Sequence, residues 1–200
     1  IPKEILPANY GGTLIVDFYS AYNRLKFRIQ RCLVHLEREM RKCLLRDPTN
    51  EYAREHKVLK RIIRDARDLK KKRRRLALAV YVHKVSLIRK RLLGWACREH
   101  TNKHLKRLAA RIVKHAPELL VFLEEPGVPS ENNFAERMIR PHVIIRNRSF
   151  QNRSDAGAKA HEVMLSLLHT LRLQEKNLLD FFRKALIHHS HGNPAPVLAL

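Results

Sequence analysis

The chain has 200 residues and carries 41 Lys and Arg against 19 Asp and Glu, a formal net charge of +22. A charge this large favours a polyanionic partner, and an aromatic content of only 6% argues against base stacking as the main mode of binding. No apolar run approaches the length of a membrane span. We therefore expect a cytoplasmic, nucleoid-associated protein that contacts phosphates, has reduced cysteines and needs no membrane.

The first informative stretch is a β-rich run that ends in an acid. Gly11 and Gly12 predict a turn into Thr13–Val16, and Asp17 follows directly. An Asp at the end of a buried strand lies where the sheet opens to a ligand. Alternatively, Asp17 caps a helix over Phe18–Tyr22. The pattern alone supports the two interpretations about equally, and both can hold in part.

The middle of the chain is expected to be largely helical. Phe27–Cys32 predicts a second strand and Leu33–Leu45 a helix. Residues 47–93 contain one proline and no glycine, and apolar residues recur there at helical spacing. The first apolar stripe comprises Val58, Ile62, Ile63, Ala66 and Leu69, and the second comprises Val80, Val85, Ile88 and Leu92. We predict one long helix over 50–93, or a hairpin bent near the basic run of residues 70–75, with Gly94 ending it.

A basic block lies between these two stripes. It comprises Lys70, Lys71, Lys72, Arg73, Arg74 and Arg75. From Lys57 to Arg75 there are eleven Lys or Arg against Asp65 and Asp68. Such a run usually marks a solvated helix face, but near a nucleic acid the same block provides an electrostatic footprint.

A further helix is predicted over 99–124, with Pro117 as a candidate break. Its periodicity places Leu105, Leu108, Ile112 and Val113 inward, and Lys103, Lys106, Arg107 and Arg111 outward. After a polar loop, residues 158–172 and Leu178–Ile187 predict two closing helices.

Two Cys-x-x-His pairs have spacing that zinc sites use. They are Cys32 with His35 and Cys97 with His100. The pairs lie far apart in the sequence, so a buried Cys and a hydrogen-bonded His remain the better interpretation of each.

Residues 128–150 form the most informative stretch of the chain. Prolines 126 and 129 with Gly127 stop the preceding helix, and Ser130 can cap a new one. Pro141 pushes Arg140 out of the helical region. This pattern predicts a helix of about three turns that ends at Pro141, followed by an extended run that bears Arg146 and Arg148.

The predicted helix combines one carboxylate with an amide and several arginines. Asn132, Glu136 and Arg140 recur at i, i+4 and i+8, so they share one face. Phe134, Met138 and Ile139 lie on other faces and can anchor the helix in a core. Such a set suits a metal ion and a phosphate. On spacing alone, a solvated ion pair is the more common outcome.

Residues 132–141, which read NNFAERMIRP, and residues 146–150, which read RNRSF, resemble the end of the catalytic domain of insertion-sequence transposases. The closest resemblance is to the family numbered sixty-six among bacterial insertion sequences. It implies a ribonuclease H-like α/β fold, mostly helical here, with an Asp-Asp-Glu site that holds two Mg²⁺ or Mn²⁺ ions. Glu136 then matches the third acid, and Asp17, in an Asp-x-Tyr-x-x-Tyr setting, the second.

The resemblance also implies partners and roles for neighbouring residues. The chain would act on DNA at insertion-sequence ends and targets as a homo-oligomer, with Asn132 or Asn133 orienting Glu136 or a phosphate. The residues expected to bind DNA are Asn132, Asn133, Arg137, Arg140, Arg146, Arg148 and the basic block Lys70, Lys71, Lys72, Arg73, Arg74 and Arg75.

In this family the first Asp lies on an earlier strand, whereas only sixteen residues precede Asp17 here and Glu4 is their only acid. We therefore expect an incomplete enzyme: the C-terminal part of a transposase, with an upstream-encoded N-terminal segment as a candidate partner. Its expected parts are core strands over 1–46, a basic helical insertion over 47–125, and the Glu-bearing and closing helices over 126–200. The rival class is a non-catalytic, basic helical protein that binds nucleic acid.

Overall fold

The structure is a computed structural model that describes residues 6–7, 9–148 and 154–194. The chain forms two compact units, Ile1–Asn133 and Phe134–Leu200. The described elements are β1 (Thr13–Val16), β2 (Arg28–Arg31), α1 (Leu33–Arg46), α2 (Asn50–Lys71), α3 (Leu78–Ala96), α4 (Lys103–Lys114), α5 (Ala116–Leu119), α6 (Val121–Glu124), α7 (Asn133–Arg148), α8 (Asp155–Leu173) and α9 (Leu178–Ser190). The described chain is thus mostly helical, with a small parallel sheet.

The predicted strands are confirmed and pair in parallel. Thr13 lies opposite Arg28 and Val16 opposite Arg31. The short crossover between the strands contains a 3-10 helix, Ser20–Arg24. Because β2 is buried from its second residue onward, its polar side chains need internal partners.

The Gln30 side chain finds its partners in two short helices, α5 and α6, and thereby attaches them to β2. This side chain is fully buried. It donates to the Leu119 carbonyl of α5 at 3.0 Å and accepts a hydrogen bond from the Phe122 N–H of α6 at 2.8 Å. These bonds satisfy backbone groups at the helix ends that would otherwise be buried without partners.

The core of the first unit is built around a helical hairpin. Helices α2 and α3 pack together, which confirms the hairpin alternative, and the chain bends at Arg73–Arg75 in the basic block. The predicted break at Gly94 is wrong, because α3 continues to Ala96. A helical glycine costs only about 1 kcal/mol, and burial of the Leu92, Trp95 and Ala96 side chains outweighs it.

Helix α4 follows its predicted pattern in most positions. Leu105, Leu108 and Ile112 are buried as expected, whereas Val113 is 47% exposed, which corrects its predicted inward position. Pro117 lies in the first turn of α5, and residues 116–124 form two single-turn helices rather than a continuation of α4. A proline is accepted in a first turn because its missing N–H has no intrahelical partner there.

Helix α7 corrects the predictions for residues 128–150. It begins at Asn133, so Ser130 is not its cap, and it continues through Pro141 to Arg148. Arg146 and Arg148 are therefore helical rather than extended. Proline removes one internal hydrogen bond, and its effect on the preceding residue is a bias that packing can override.

The second unit also corrects the predicted anchors. Phe134 is 70% and Ile139 56% exposed, and no residue of α7 is fully buried. Instead, Pro141 and Ile145 line a cavity of about 310 Å³ together with Leu165 and Leu168 of α8. Helices α8 and α9 confirm the two predicted closing helices.

Candidate functional site

Asp17 lies directly after β1, where the sequence placed it. Val16 is buried, and its carbonyl accepts a hydrogen bond from the Cys32 N–H at 2.8 Å. The Asp17 Oδ1 atom accepts a hydrogen bond from the Tyr19 N–H at 2.9 Å. The carboxylate therefore also closes the turn before the 3-10 helix, whose cap position is Tyr19. The helix predicted over Phe18–Tyr22 with Asp17 as its cap is wrong, because a 3-10 helix over Ser20–Arg24 follows and has Tyr19 as its cap position. The ligand-binding interpretation of Asp17 stays a prediction.

A buried arginine fixes the turn that bears Asp17. The Arg31 side chain at the end of β2 has no exposed surface. Its guanidinium donates to the Asp17 carbonyl at 2.8 Å, to Asn23 Oδ1 at 2.7 Å and to Glu118 Oε2 at 2.6 Å. The planar guanidinium carries several N–H donors in a fixed arrangement, so it can bond to three acceptors at once. Sequence analysis missed this role because nothing marks one arginine of a basic chain as buried.

His115 completes this network. Its Nδ1 atom lies 2.9 Å from Glu118 Oε2, and its ring packs edge-on against Phe18. Burial lowers the pKa of His115 below its usual value, although the Glu118 carboxylate acts in the opposite direction. The network thus joins the end of β2, the turn after β1 and helix α5.

Asp17 lines an open cleft of about 500 Å³ in the first unit. The cleft lies between α1 and α4, and Phe18 and Tyr19 form part of its wall. Its acidic, basic and histidine lining residues are Asp17, His35, Arg38, Glu39, Lys42, Arg46, His104, Arg107 and Arg111. Five of these are Lys or Arg and two are carboxylic acids, so the cleft is positively charged.

The two carboxylates of the cleft differ in their environment. Glu39 forms an ion pair with Arg111, whose guanidinium also lies 5.3 Å from the centre of the Phe18 ring. Burial lowers the pKa of Arg111, but an arginine remains charged at neutral pH. Asp17 has no ion-pair partner among the residues that the structure describes. It is therefore the cleft's available carboxylate.

The basic block is divided between structural and exposed residues. Lys70 donates to the carbonyls of Phe122 and Glu125, and Arg73 donates to those of Leu123 and Glu124. These two side chains cap the C-terminal end of α6, where cations are favourable. Lys71, Lys72, Arg74 and Arg75 are exposed.

In the second unit, Glu136 lies in the first turn of α7, and Arg140 follows one turn later on the same face. A carboxylate in the first turn is favoured by the helix dipole. Asn132 lies just before α7, so the shared face predicted for Asn132, Glu136 and Arg140 is confirmed only for the last two. Asn133 donates to Glu131 Oε1 at 2.7 Å.

Sequence analysis also missed a group of histidines in the second unit. The Nε2 atoms of His142 and His169 lie 2.8 Å apart, and the His161 ring stacks on that of His142. Burial lowers the pKa of His142, and the neighbouring His169 and His161 lower it further. In a hydrogen bond between two Nε2 atoms, one ring donates its N–H and the other accepts it. The accepting imidazole must be neutral, because a protonated ring has no free nitrogen lone pair.

The two Cys-x-x-His pairs do not gather into one metal site among the described residues. Cys32 is buried, and its Sγ accepts a hydrogen bond from the Asn132 N–H at 3.4 Å. His100 is buried against Trp95 and bonds to its carbonyl at 3.1 Å, whereas Cys97 is exposed. Cys32 is therefore buried and His100 is hydrogen-bonded, as the structural interpretation of these two residues expects.

None of the described helices is both long and apolar enough to cross a bilayer. No curated protein and no solved structure matches the chain. A family model described as Transposase IS66 family matches residues 1–160, which include both Asp17 and Glu136. The chain belongs to the IS66 family of transposases, a family of the DDE type.

Proposed function

We propose that this chain contributes two acids, Asp17 and Glu136, to a metal-dependent site for cleavage and transfer of DNA strands at insertion-sequence ends. The observation that carries the proposal is the position of Asp17, directly after a strand of a parallel pair and in a positively charged cleft. Ligands of parallel sheets bind at the carboxyl ends of the strands. Family membership supports the same reaction, and a ribonuclease H-like core is part of the proposal.

Asp17 suits a divalent metal ion such as Mg²⁺ or Mn²⁺. Its carboxylate supplies hard oxygen atoms, which these ions prefer, and only Oδ1 is used in a hydrogen bond to the described chain. Arg31 holds the backbone of Asp17, so the carboxylate is attached to a fixed point. Two metal ions, when bound, would activate the attacking oxygen and stabilise the leaving oxygen.

The remaining residues would bind and orient DNA. Glu136 is the second proposed metal ligand, fixed on α7. The proposed contacts to the DNA backbone are Asn132, Asn133, Arg137, Arg140, Arg146, Arg148, Lys71, Lys72, Arg74 and Arg75. Such contacts position the duplex without reading its sequence. Because Lys70 and Arg73 already cap α6, we assign DNA contact in the block mainly to its other members.

The proposal predicts that both carboxylates are required for strand cleavage. Labelled element-end DNA would be incubated with Mg²⁺ or Mn²⁺ and either the chain alone or the chain supplied with a family segment that bears the first Asp. We expect Asp17→Asn and Glu136→Gln each to reduce cleavage to background, because each removes a metal ligand. Glu162→Gln is the matched control, since Glu162 is exposed and its ion pair among the described residues is with Lys159.

The rival function, non-catalytic binding of nucleic acid by a basic helical protein, gives a different result. If the chain only binds nucleic acid, DNA binds both to the chain alone and to the chain supplied with the family segment, but neither sample cleaves it. Cleavage that persists in Glu136→Gln would instead show that this acid has been wrongly assigned. Loss of cleavage in both carboxylate variants, with DNA binding and the control unchanged, supports the proposed site.

A further inference from the structure

The cleft that contains Asp17 is bordered by cationic stripes on two helices. On α1, Arg38, Lys42 and Arg46 follow one another at intervals of four residues and line the cleft. On α4, Arg107 and Arg111 do the same. Residues spaced by four lie on one helix face, so each helix turns a row of cations toward the same space. The two helices are far apart in sequence, and only the fold brings these rows together.

Three of these cations are available to a ligand. Arg111 is paired with Glu39. Lys42, Arg46 and Arg107 are exposed and form no ion pair within the part of the chain that the structure describes. Mutual repulsion among these cations is unfavourable in the free protein. A bound anion would relieve that repulsion.

The dimensions of the stripe suit a nucleic-acid backbone better than a single small anion. Arg38 and Arg46 are separated by eight residues, or about 12 Å along the helix axis. Phosphates of one DNA strand follow one another at about 3.4 Å along the duplex, so the stripe extends over several of them. The cleft is open rather than enclosed, which lets a continuous chain of phosphates pass through it.

We propose that the α1–α4 cleft binds the phosphate backbone of duplex DNA, with Lys42, Arg46 and Arg107 as positioning residues beside Asp17. The inference rests on the proposed function, because it assigns a substrate-binding wall to the same site. It adds cations of α1 and α4 to the DNA contacts proposed for the basic block. A DNA backbone bound by these residues lies in the same cleft as the Asp17 carboxylate.

The test compares two triple variants with the same loss of charge. The cleft variant is Lys42→Gln, Arg46→Gln and Arg107→Gln. The control variant is Lys84→Gln, Lys90→Gln and Arg98→Gln, which changes exposed cations outside the cleft. Binding of a labelled duplex by the full chain would be measured by fluorescence anisotropy at several KCl concentrations. Circular dichroism would show that both variants remain folded.

We expect the cleft variant to bind at least about tenfold more weakly than wild type, and its log–log salt slope to be shallower by about 2 to 3, because three phosphate contacts are lost. The control variant should change both quantities much less. A second measurement uses the unaltered chain: bound DNA should protect Lys42 from amine acetylation, while Lys90 remains reactive.

The possible failures can be told apart. If wild type binds DNA but the two triple variants have the same affinity and slope, the cleft inference is overturned while the proposed function stands. Unprotected Lys42 in the complex would overturn it in the same way. If the wild-type chain does not bind DNA at all, both the inference and the proposed function fail.

Discussion

At the scale of single residues, Arg31 shows how a charge can be used inside a basic protein. Its side chain is completely buried, and its three hydrogen bonds join the Asp17 carbonyl, Asn23 and Glu118. Removing it leaves these acceptors without their donor, and the cost of a buried unsatisfied group exceeds the net gain from making the bond. The geometry of Asp17 therefore depends on a residue outside the cleft lining.

We predict that Arg31→Met lowers the free energy of unfolding by about 3 kcal/mol. Arg31→Lys should recover only part of this loss, since an ammonium lacks the planar donor fork. Urea unfolding followed by circular dichroism measures the difference. Arg98→Met, at an exposed position, is the control and should stay within about 0.5 kcal/mol of wild type. Equal stabilities for Arg31→Met and this control would contradict the role given to Arg31.

At the scale of elements, the basic block serves two purposes that its sequence does not distinguish. Lys70 and Arg73 cap the end of α6, and the hydroxyl of Tyr81 also donates to the Leu123 carbonyl there, at 2.8 Å. Burial lowers the pKa of Lys70, which fits a side chain withdrawn from solvent. The hairpin bend and the short helix thus stabilise each other.

We predict that Lys70→Ala with Arg73→Ala lowers the free energy of unfolding by about 2 kcal/mol, because several carbonyls lose charged donors. Replacing Lys72, Arg74 and Arg75 by Gln should leave stability nearly unchanged and weaken DNA binding. Thermal unfolding and a salt titration of DNA binding separate the two effects. A triple Gln variant with an unchanged salt slope would show that these three side chains do not contact DNA.

The sequence predicted local elements well and non-local arrangements poorly. Strands β1 and β2 and most of the apolar stripes of α2 and α3 followed from hydrophobic periodicity. The stripes were wrong at Val58 and Val80, which are 36% and 45% exposed, whereas their neighbours Leu59 and Tyr81 are buried. The ends expected at Gly94 and Pro141 were wrong, since local preferences of about 1 to 3 kcal/mol can be overcome by packing. The cationic cleft could not be predicted, because it exists only when α1 and α4 meet. Arg107 was correctly expected to face outward, but nothing indicated what it would face.

At the scale of the whole molecule, several partly buried histidines make the free energy of unfolding decrease as the pH falls. Burial lowers the pKa of His56 and His115 in the first unit and of His142 in the second. Their folded pKa values therefore lie below the unfolded value of about 6.5. The unfolded chain takes up protons first as pH falls, so the stabilisation is complete above about 6.5 and is lost as pH drops through the folded values.

We predict that the urea midpoint is constant from about pH 8 to 7 and decreases between about pH 6.5 and 5. Glu51 and Asp68 have lowered pKa values and act mainly below this range. His115→Gln should make the decrease smaller, because one of the titrating groups is gone. A midpoint that stays flat down to pH 5 would contradict the histidine assignment.

The small sheet has a consequence for assembly. In the part of the chain that the structure describes, β1 pairs with β2 alone, whereas the short helices α5 and α6 pack beside β2. We predict that the backbone groups on the other side of β1 accept a further strand by edge addition. A strand that docked there in parallel would end next to Asp17 and deliver its own last side chain to the same cleft. Completion of the sheet and completion of an acidic cluster would then be a single event.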